Sequence, residues 1–379
     1  MAALLPDGRR HFHMFLTDPI DLDRRHRYCK PVVQDVENLT REIVPCCNVC
    51  FSERNIILST QDRYGLPLRT AMCLNCGLIY LVDRLTPASY REFYQRGTYR
   101  DISSRFNNTH HSIADIEASQ SLYAKNLIRA IDGYVDKTGN LIDIGGSVGR
   151  VCREIADHFQ MRGTILDPAE DEIAGARKFG LKTVSSAIEE WDTDERFDLV
   201  LLCRSIEHLV DLRKALGNIR RLLSARGLLY CDIADFMDSC EIIGPPRAVT
   251  KLDHCYWLCL DTAYEIFRAL GFDIVSMNIT SGQAQVGFLL RRSELRPVSP
   301  LKPEWIQRQA RKLQHLESQW IESGRSPRNL TDRLRLRAYR VKRFFSRSLS
   351  KRPVASAPQP LYSSTPAHAT SYEPRAHRV

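Results

Sequence analysis

The sequence predicts an α/β protein: a seven-stranded, mostly parallel sheet covered by helices, with a small cysteine-bearing module before it and helices after it. Three observations lead there. From residue 140 onward, short β-rich runs alternate with helical stretches; two Cys-x-x-Cys pairs precede them; amphipathic basic stretches follow them. The β-rich runs are Leu141–Ile144, Thr164–Leu166, Thr183–Val184, Phe197–Cys203, Leu228–Ile233, Phe272–Ile279 and Val286–Leu290. Their continuous apolar character is that of strands buried on both faces, and the short link after Ile279 permits an antiparallel hairpin at the sheet's edge.

Taken in order, residues 1–40 show no sustained periodicity and read as an arm that packs on something else. Residues 41–100 hold the cysteine pairs and an aromatic-rich stretch from Tyr90 to Tyr99. Within the connecting region 101–139, residues 112–135 read as a helix, with Ile113, Ile116, Tyr123, Leu127 and Ile131 at intervals of three, four or seven. The sheet domain is expected over 140–292. Basic amphipathic helices follow over 293–352, one with the stripe Ile306, Ala310, Leu313, Leu316 and Trp320, the other with Leu330, Leu334, Ala338, Val341, Phe345 and Leu349. Residues 353–379, rich in Pro, Ser and Ala, read as a disordered tail.

With 379 residues, 43% of them hydrophobic and 26% charged, the chain is long enough for two or three domains and excludes a collagenous or disulfide-stapled scaffold. No stretch approaches the ~20 apolar residues of a membrane span, and no leader is apparent, so a cytoplasmic protein is the expectation. The net charge of +9 is unevenly placed. Residues 291–352 carry 18 Lys and Arg against 5 Asp and Glu, so the first 290 residues are net negative. The basic helices are either solvated faces packed by their apolar stripes or a surface for an anionic partner, and the charge says little about the rest of the chain.

Of 12 cysteines, most are scattered through apolar segments and read as free thiols, several of them packed in a core. Cys47-Asn-Val-Cys50 and Cys73-Leu-Asn-Cys76 differ, since each pair can present two thiolates to one tetrahedral ion. Four soft sulfurs favour Zn²⁺, and closed coordination makes the role structural; Cys46 is a substitute ligand for Cys47, and unliganded thiols are the bland alternative.

The stretch Asp143-Ile-Gly145-Gly146-Ser147-Val148-Gly149 lies where a buried strand turns into a helix. It lacks the Gly-Lys-Ser/Thr of a phosphate loop and the glycine spacing of a dinucleotide site. Asp143 is placed to meet an amino group over the turn, and Asp167 closes the next strand, where a carboxylate accepts from ribose hydroxyls. A ligand with an amino-acid end and a nucleoside end but no phosphate fits both, which describes S-adenosylmethionine.

These residues resemble the class I S-adenosylmethionine-dependent methyltransferases, whose fold is a Rossmann-like seven-stranded sheet. The resemblance covers residues 140–292 and takes in the glycine loop, with Ser147 where the family has its middle glycine. It also includes Phe197-Asp198 through Glu207-His208, and Arg221 through Gly227. It implies cofactor contacts from Asp143, Gly145, Gly146, Ser147, Gly149, Asp167, Pro168, Ala187, Ile188, Cys203, Arg204 and Ser205. With the cysteine pairs in front, the order of motifs is similar to the zinc-containing C-methyltransferases that act on nucleotide-linked deoxysugars. Their catalytic Tyr-His-Glu-His segment corresponds to Lys251-Leu252-Asp253-His254, which keeps the last histidine and has Lys251 and Leu252 in place of the first two residues.

The implied activity is methyl transfer to a small-molecule acceptor, a nucleotide-linked sugar or another biosynthetic intermediate. An RNA methyltransferase with a zinc module and a catalytically silent partner protein are the rival readings. His254 and then His208 are the candidate bases, with Lys251 or Tyr256 orienting the acceptor. Asp232 and Asp235, at the end of the fifth strand, either contact substrate or shape a turn.

Overall fold

The computed structural model describes residues 22–109, 113–279, 285–298 and 300–323. The basic stretch from Leu330 and the tail expected over 353–379 lie outside the described residues.

Before the large sheet come α1 (Leu22–Glu37), β1 (Arg41–Ile43), β2 (Asn55–Ser59), β3 (Thr70–Cys73), β4 (Ile79–Leu81), β5 (Asp83–Leu85), α2 (Pro87–Gln95), α3 (Thr98–Asn107) and α4 (Ile113–Ile131). The large sheet and its helices follow as β6 (Gly139–Ile144), α5 (Arg150–Phe159), β7 (Met161–Leu166), α6 (Glu170–Arg177), β8 (Lys182–Val184), β9 (Phe197–Leu202), α7 (Leu212–Leu222) and β10 (Leu223–Ala234). The remainder is α8 (Phe236–Ile242), α9 (Pro246–Val249), β11 (Tyr256–Trp257), α10 (Leu260–Ala269), β12 (Phe272–Ile279), β13 (Gln285–Arg292) and α11 (Pro303–Ser323).

All seven expected strands form, in the order β12-β13-β10-β9-β6-β7-β8. The run from β10 to β8 is parallel, and β12–β13 is the antiparallel hairpin at one edge. Alternation within single strands sorts the core into two layers, because successive side chains leave a strand on opposite faces. In β9, Leu199 and Leu201 join the layer that contains Leu127, Ile131, Val151 and Ile155, whereas Val200 and Leu202 join the layer that contains Leu216, Ile219 and Ile266. Helix α7 starts where the Asp211 carboxylate accepts from the Lys214 N–H. The fifth strand starts earlier than its apolar run suggests, and a register shift lies between Leu223 and Leu228. Gly227 sits in this bulge, where a Cβ would come within 2.7 Å of the Phe197 carbonyl oxygen.

The cysteine module is not a separate segment of the chain. Strands β2, β3 and β4 form a meander, and β11, from beyond the fifth strand of the large sheet, extends it by pairing Tyr256 with Tyr80 and Trp257 with Ile79. Every residue of β4 is buried, so an uncovered edge there would expose apolar surface and unpaired backbone groups.

The expectation of an aperiodic arm over residues 1–40 is corrected for part of its length. Residues 22–37 form α1, which buries Leu22, Cys29, Val32 and Val36 and packs on α3. Pro31 inside this helix and a largely charged exposed face hid the stripe from the sequence. The first basic helix does form as α11 and packs by its stripe on β2 and α9. At the position facing Ser59 the stripe carries Glu317, a buried carboxylate that accepts from the Arg247 backbone N–H (3.0 Å), Arg247 Nε (2.6 Å) and the Ser59 hydroxyl (2.9 Å). Among the described residues no helix is long and apolar enough to cross a membrane.

Removing one partner of a buried ion pair strands the other, at a cost of about 3–5 kcal/mol. Glu317→Ala is therefore expected to lower unfolding stability by roughly 3 kcal/mol, discounted for the partial exposure of Arg247. Denaturant titration would show this, and an unchanged midpoint would refute the docking role given to Glu317.

Candidate active site

Strand β6 ends in a turn built on left-handed backbone at Gly145 (φ +74°) and Gly149 (φ +80°), and Ser147 shares that conformation (φ 52°). A serine there carries a strain that glycine would not, and local bonds hold it. Its N–H donates to Asp167 Oδ2 (3.1 Å), and its hydroxyl is held by Arg100 and Glu172. The other Asp167 oxygen accepts from the Ala169 N–H (2.9 Å). At Gly145 a Cβ would lie 2.7 Å from Ser205 Oγ, and at Gly146 it would lie 2.9 Å from the Asp143 carboxyl carbon, so both glycines keep the loop against its neighbours. Gly149 serves packing: a Cβ there would press on Ala176 and Leu181.

Asp143 lies beneath this loop, buried, with both carboxylate oxygens unpartnered. Burial, with Asp167 and Asp232 nearby, pushes its pKa up to about 7. Burial raises Asp167 to about 6 against the pull of its two N–H donors. Asp232, at the end of β10, is also raised by burial and accepts from the Arg204 N–H (2.6 Å) and the Tyr123 hydroxyl (3.0 Å). Asp235 caps α8, accepting from the N–H groups of Asp238 and Leu260, which is the turn-shaping role.

Between the carboxyl ends of these strands and helices α2 and α3 lies a cavity of about 480 Å³. Of the residues expected to contact a cofactor, Gly145, Ser147, Asp167, Pro168, Ala187, Ile188, Arg204 and Ser205 line it. Asp143, Gly146, Gly149 and Cys203 do not. The roof comes from Tyr90, Tyr94, Tyr99 and Arg100. Their sequence signal was the aromatic run over 90–99, which carried no assigned role. Arg100 is ion-paired with Glu172, to which Tyr99 also donates, and this fastens α3 to the glycine loop.

Of the four candidate catalytic residues only His208 lines the cavity. Its Nδ1 is 2.9 Å from the Tyr94 hydroxyl, which also reaches the Asp253 carbonyl oxygen (3.3 Å). Burial first, and then the Lys251 ammonium, push its pKa down to about 4, so the imidazole is neutral at pH 7. His254 stands edge-on to it, ring centroids 4.5 Å apart, with Nδ1 buried and unpartnered and its pKa driven further down by burial. Lys251 Nζ is 2.7 Å from Asp253 Oδ2, and that buried carboxylate lies 3.9 Å from His208 Nδ1. The structure thus draws His208, His254 and Lys251 together around Asp253, a residue not singled out from the sequence. Tyr256 stands apart in β11, its hydroxyl donating to the Val210 carbonyl oxygen (2.8 Å) and accepting from Arg84 (3.1 Å). Glu207 is buried and braces the end of β10 through the Ala234 N–H (3.0 Å).

The sulfurs of Cys47, Cys50, Cys73 and Cys76 all lie within 4.8 Å of one another, with Cys47–Cys76 and Cys50–Cys73 at 3.5 Å. Tetrahedral coordination at about 2.3 Å requires sulfurs about 3.8 Å apart, so the donor set fits one ion. The Asn75 N–H points at Cys73 Sγ (3.4 Å), a knuckle contact that favours thiolate. Cys46 is not in the group. Between the first two cysteines, Asn48 donates to the Asp211 carboxylate (3.1 Å) and accepts from the Arg213 N–H (2.8 Å), joining the knuckle to the start of α7.

Residues 116–277 match the family model described as a methyltransferase domain. A stretch of 95 residues is 32% identical to the ubiquinone biosynthesis O-methyltransferase of Bradyrhizobium sp. (strain ORS 278). It covers 24% of this chain and 37% of that enzyme, so the match spans little more than a third of the relative's length. Among solved structures, the N-methyltransferase NodS of Bradyrhizobium japonicum with S-adenosyl-L-homocysteine is 17% identical with a TM-score of 0.36, covering 47% of this chain and 87% of that one. An S-adenosylmethionine-dependent methyltransferase of Clostridium acetobutylicum is 11% identical with a TM-score of 0.40, covering 52% and 99%. Sheet order, edge hairpin and glycine loop together define a Rossmann-like fold, and it falls in the part of the chain that matches the methyltransferase-domain model.

Asp143 gives the domain a characteristic pH response. Its pKa of about 7 in the folded protein exceeds the unfolded value of about 3.9, so the folded state binds more protons between these limits and stability falls as pH rises through them. Asp143→Asn is expected to stabilise the ligand-free protein by roughly 2 kcal/mol at pH 8, with the gain fading toward pH 4. Unfolding curves at the two pH values would test this, and an equal effect at both would refute it.

Proposed function

We propose that the protein is an S-adenosylmethionine-dependent methyltransferase acting on a small-molecule acceptor, with a structural zinc ion in the cysteine module. The observation that carries this reading is the pair of carboxylates at the glycine loop. Asp143 is buried without a partner beneath the loop, and its carboxylate favours a cationic group bound above it. Asp167 ends the neighbouring strand on the cavity wall, placed for ribose hydroxyls. The residues present therefore fit an amino-acid-bearing nucleoside, and the family match supports methyl transfer as the reaction.

When bound, the cofactor supplies a methyl group already activated by sulfonium charge, so the protein's task is to bind, orient and keep out water. The tyrosines of α2 and α3 close the roof and limit hydration of the cavity. His208 holds or takes the acceptor's proton. The Tyr94 hydroxyl donates to the Asp253 carbonyl oxygen and so accepts from Nδ1–H, a tautomer that puts the ring's lone pair on Nε2, and burial keeps the ring neutral. His254 and the Lys251–Asp253 pair set the position of the His208 ring from behind. The pairing of the wall arginines Arg84, Arg91 and Arg100 with Glu42, Glu190 and Glu172 leaves those cations satisfied within the protein, which supports a small acceptor over RNA. Nucleotide-linked sugars and other biosynthetic intermediates are the classes to screen first.

The test is binding of S-adenosylhomocysteine by calorimetry, followed by a screen with labelled cofactor against sugar nucleotides, small metabolites and total RNA. Label is expected in a small molecule; label confined to RNA would overturn the acceptor assignment, and absence of binding would favour a silent partner protein. With an acceptor in hand, His208→Ala should lower kcat by about 10²-fold or more while leaving cofactor affinity unchanged. Purified protein should contain one zinc per chain, and Cys73→Ser should lose the metal and unfold at lower temperature. Full-length, folded protein without zinc would remove the metal assignment.

A further inference from the structure

We propose that His208, His254 and Asp253 form a second metal site, a place for a divalent transition ion at the cavity wall. One ligand atom from each of the three lies within 4.8 Å of the other two, and apart from the four cysteines no further group of this kind is drawn together among the described residues. The site uses no residue of the glycine loop, so it goes beyond the cofactor reading and does not rest on it.

Ring geometry supports the assignment. An imidazole bound at about 2.1 Å puts its ring centre about 3.2 Å from the ion, so two rings at roughly 90–110° around it stand about 4.5–5.2 Å apart. The His208 and His254 ring centres are 4.5 Å apart, with the planes at 85°. His254 Nδ1 is buried and has no hydrogen-bond partner among the described residues, so no protein group competes for that nitrogen. His208, in the tautomer that Tyr94 sets, offers an ion the same lone pair that it would offer a proton.

Asp253 supplies the charge. It is buried, and its Oδ2 already holds a cation, the Lys251 ammonium at 2.7 Å. A divalent ion would exchange for that ammonium, one cation for another. Two imidazoles and one carboxylate suit zinc, cobalt or iron better than magnesium or calcium, which prefer all-oxygen shells. Three protein ligands leave a coordination position open, the pattern of a catalytic rather than a structural ion. Because His208 lines the cavity, an ion it holds adjoins the space for the acceptor and could polarise an oxygen there.

Cobalt tests this on the zinc-loaded full chain, since Co²⁺ binds thiolates more weakly than Zn²⁺ and leaves the cysteine module occupied. Calorimetry and visible absorption should show one Co²⁺ taken up per chain without the intense thiolate-to-cobalt charge-transfer band. His254→Ala should weaken this uptake at least tenfold, and Lys251→Met, which removes the competing ammonium, should tighten it at least tenfold. No uptake by wild type, uptake unchanged in His254→Ala, or uptake seen only with the thiolate band overturns the site. Equal or weaker binding by Lys251→Met overturns the placement of the ion on Asp253. Thermal unfolding before cobalt is added separates a lost ligand from a lost fold; should His254→Ala fail to fold, Lys251→Met decides by the tightening alone. None of these readouts involves S-adenosylhomocysteine, so this inference and the cofactor reading fail separately.

Discussion

Two residue pairs of backbone ladder, Tyr256 on Tyr80 and Trp257 on Ile79, constrain the rest of the cavity. The strand that makes them leaves the large sheet's side of the molecule and completes the small sheet. The segment just before it, Lys251 to His254, is thereby held beneath α2. Further bonds fasten the same place: Asp62 accepts from the Leu252 N–H (3.0 Å) and Tyr90 donates to the Leu252 carbonyl oxygen (2.8 Å). With the Arg100–Glu172 ion pair and the Asn48 bonds to the start of α7, this crossing joins the tyrosine roof to the His208 wall. The two share one hydrophobic core.

The second organising feature is an unfavourable one. Asp143, Asp167 and Asp232 are all buried near one another, and each is pushed toward its neutral form by desolvation. Asp167 and Asp232 are compensated by donors, including the backbone N–H groups of Ser147, Ala169 and Arg204. Asp143 is not. A fold tolerates such a group where a ligand completes it, and the strain of Ser147 and Arg204 on either side follows the same pattern.

Much of the sheet was legible because its signals are local. Continuous apolar runs such as Phe197–Leu202 need no partner to declare themselves, and the glycine loop is a matter of backbone sterics within seven residues. The roof was not legible in function, although its aromatic run was visible, because only the tertiary fold sets Tyr94 against His208, 114 positions away. Asp253 escaped notice for the same reason: its meaning lies in Lys251, His208 and Tyr64 around it. Helix α1 was missed where Pro31 interrupts its pattern, and Glu317 carried no signal of its own, because only the tertiary fold closes Arg247 and Ser59 on it. His254, ranked first from its match to a motif, stands behind His208, which the sequence ranked second.

The hydrogen bonds from Asn48 to Asp211 and Arg213 run from the sulfur knuckle into the first turn of α7, and Asp211 is itself part of the cavity wall. The four sulfurs and the cavity are thus two sites with a common boundary, and coupling between them is reciprocal by thermodynamic necessity. Oxidation of a cysteine pair that displaced Asn48 would reach the cavity wall at Asp211, although none of the four thiols lines the cavity. A ligand whose affinity depends on the position of Asp211 would by the same linkage report the state of the knuckle.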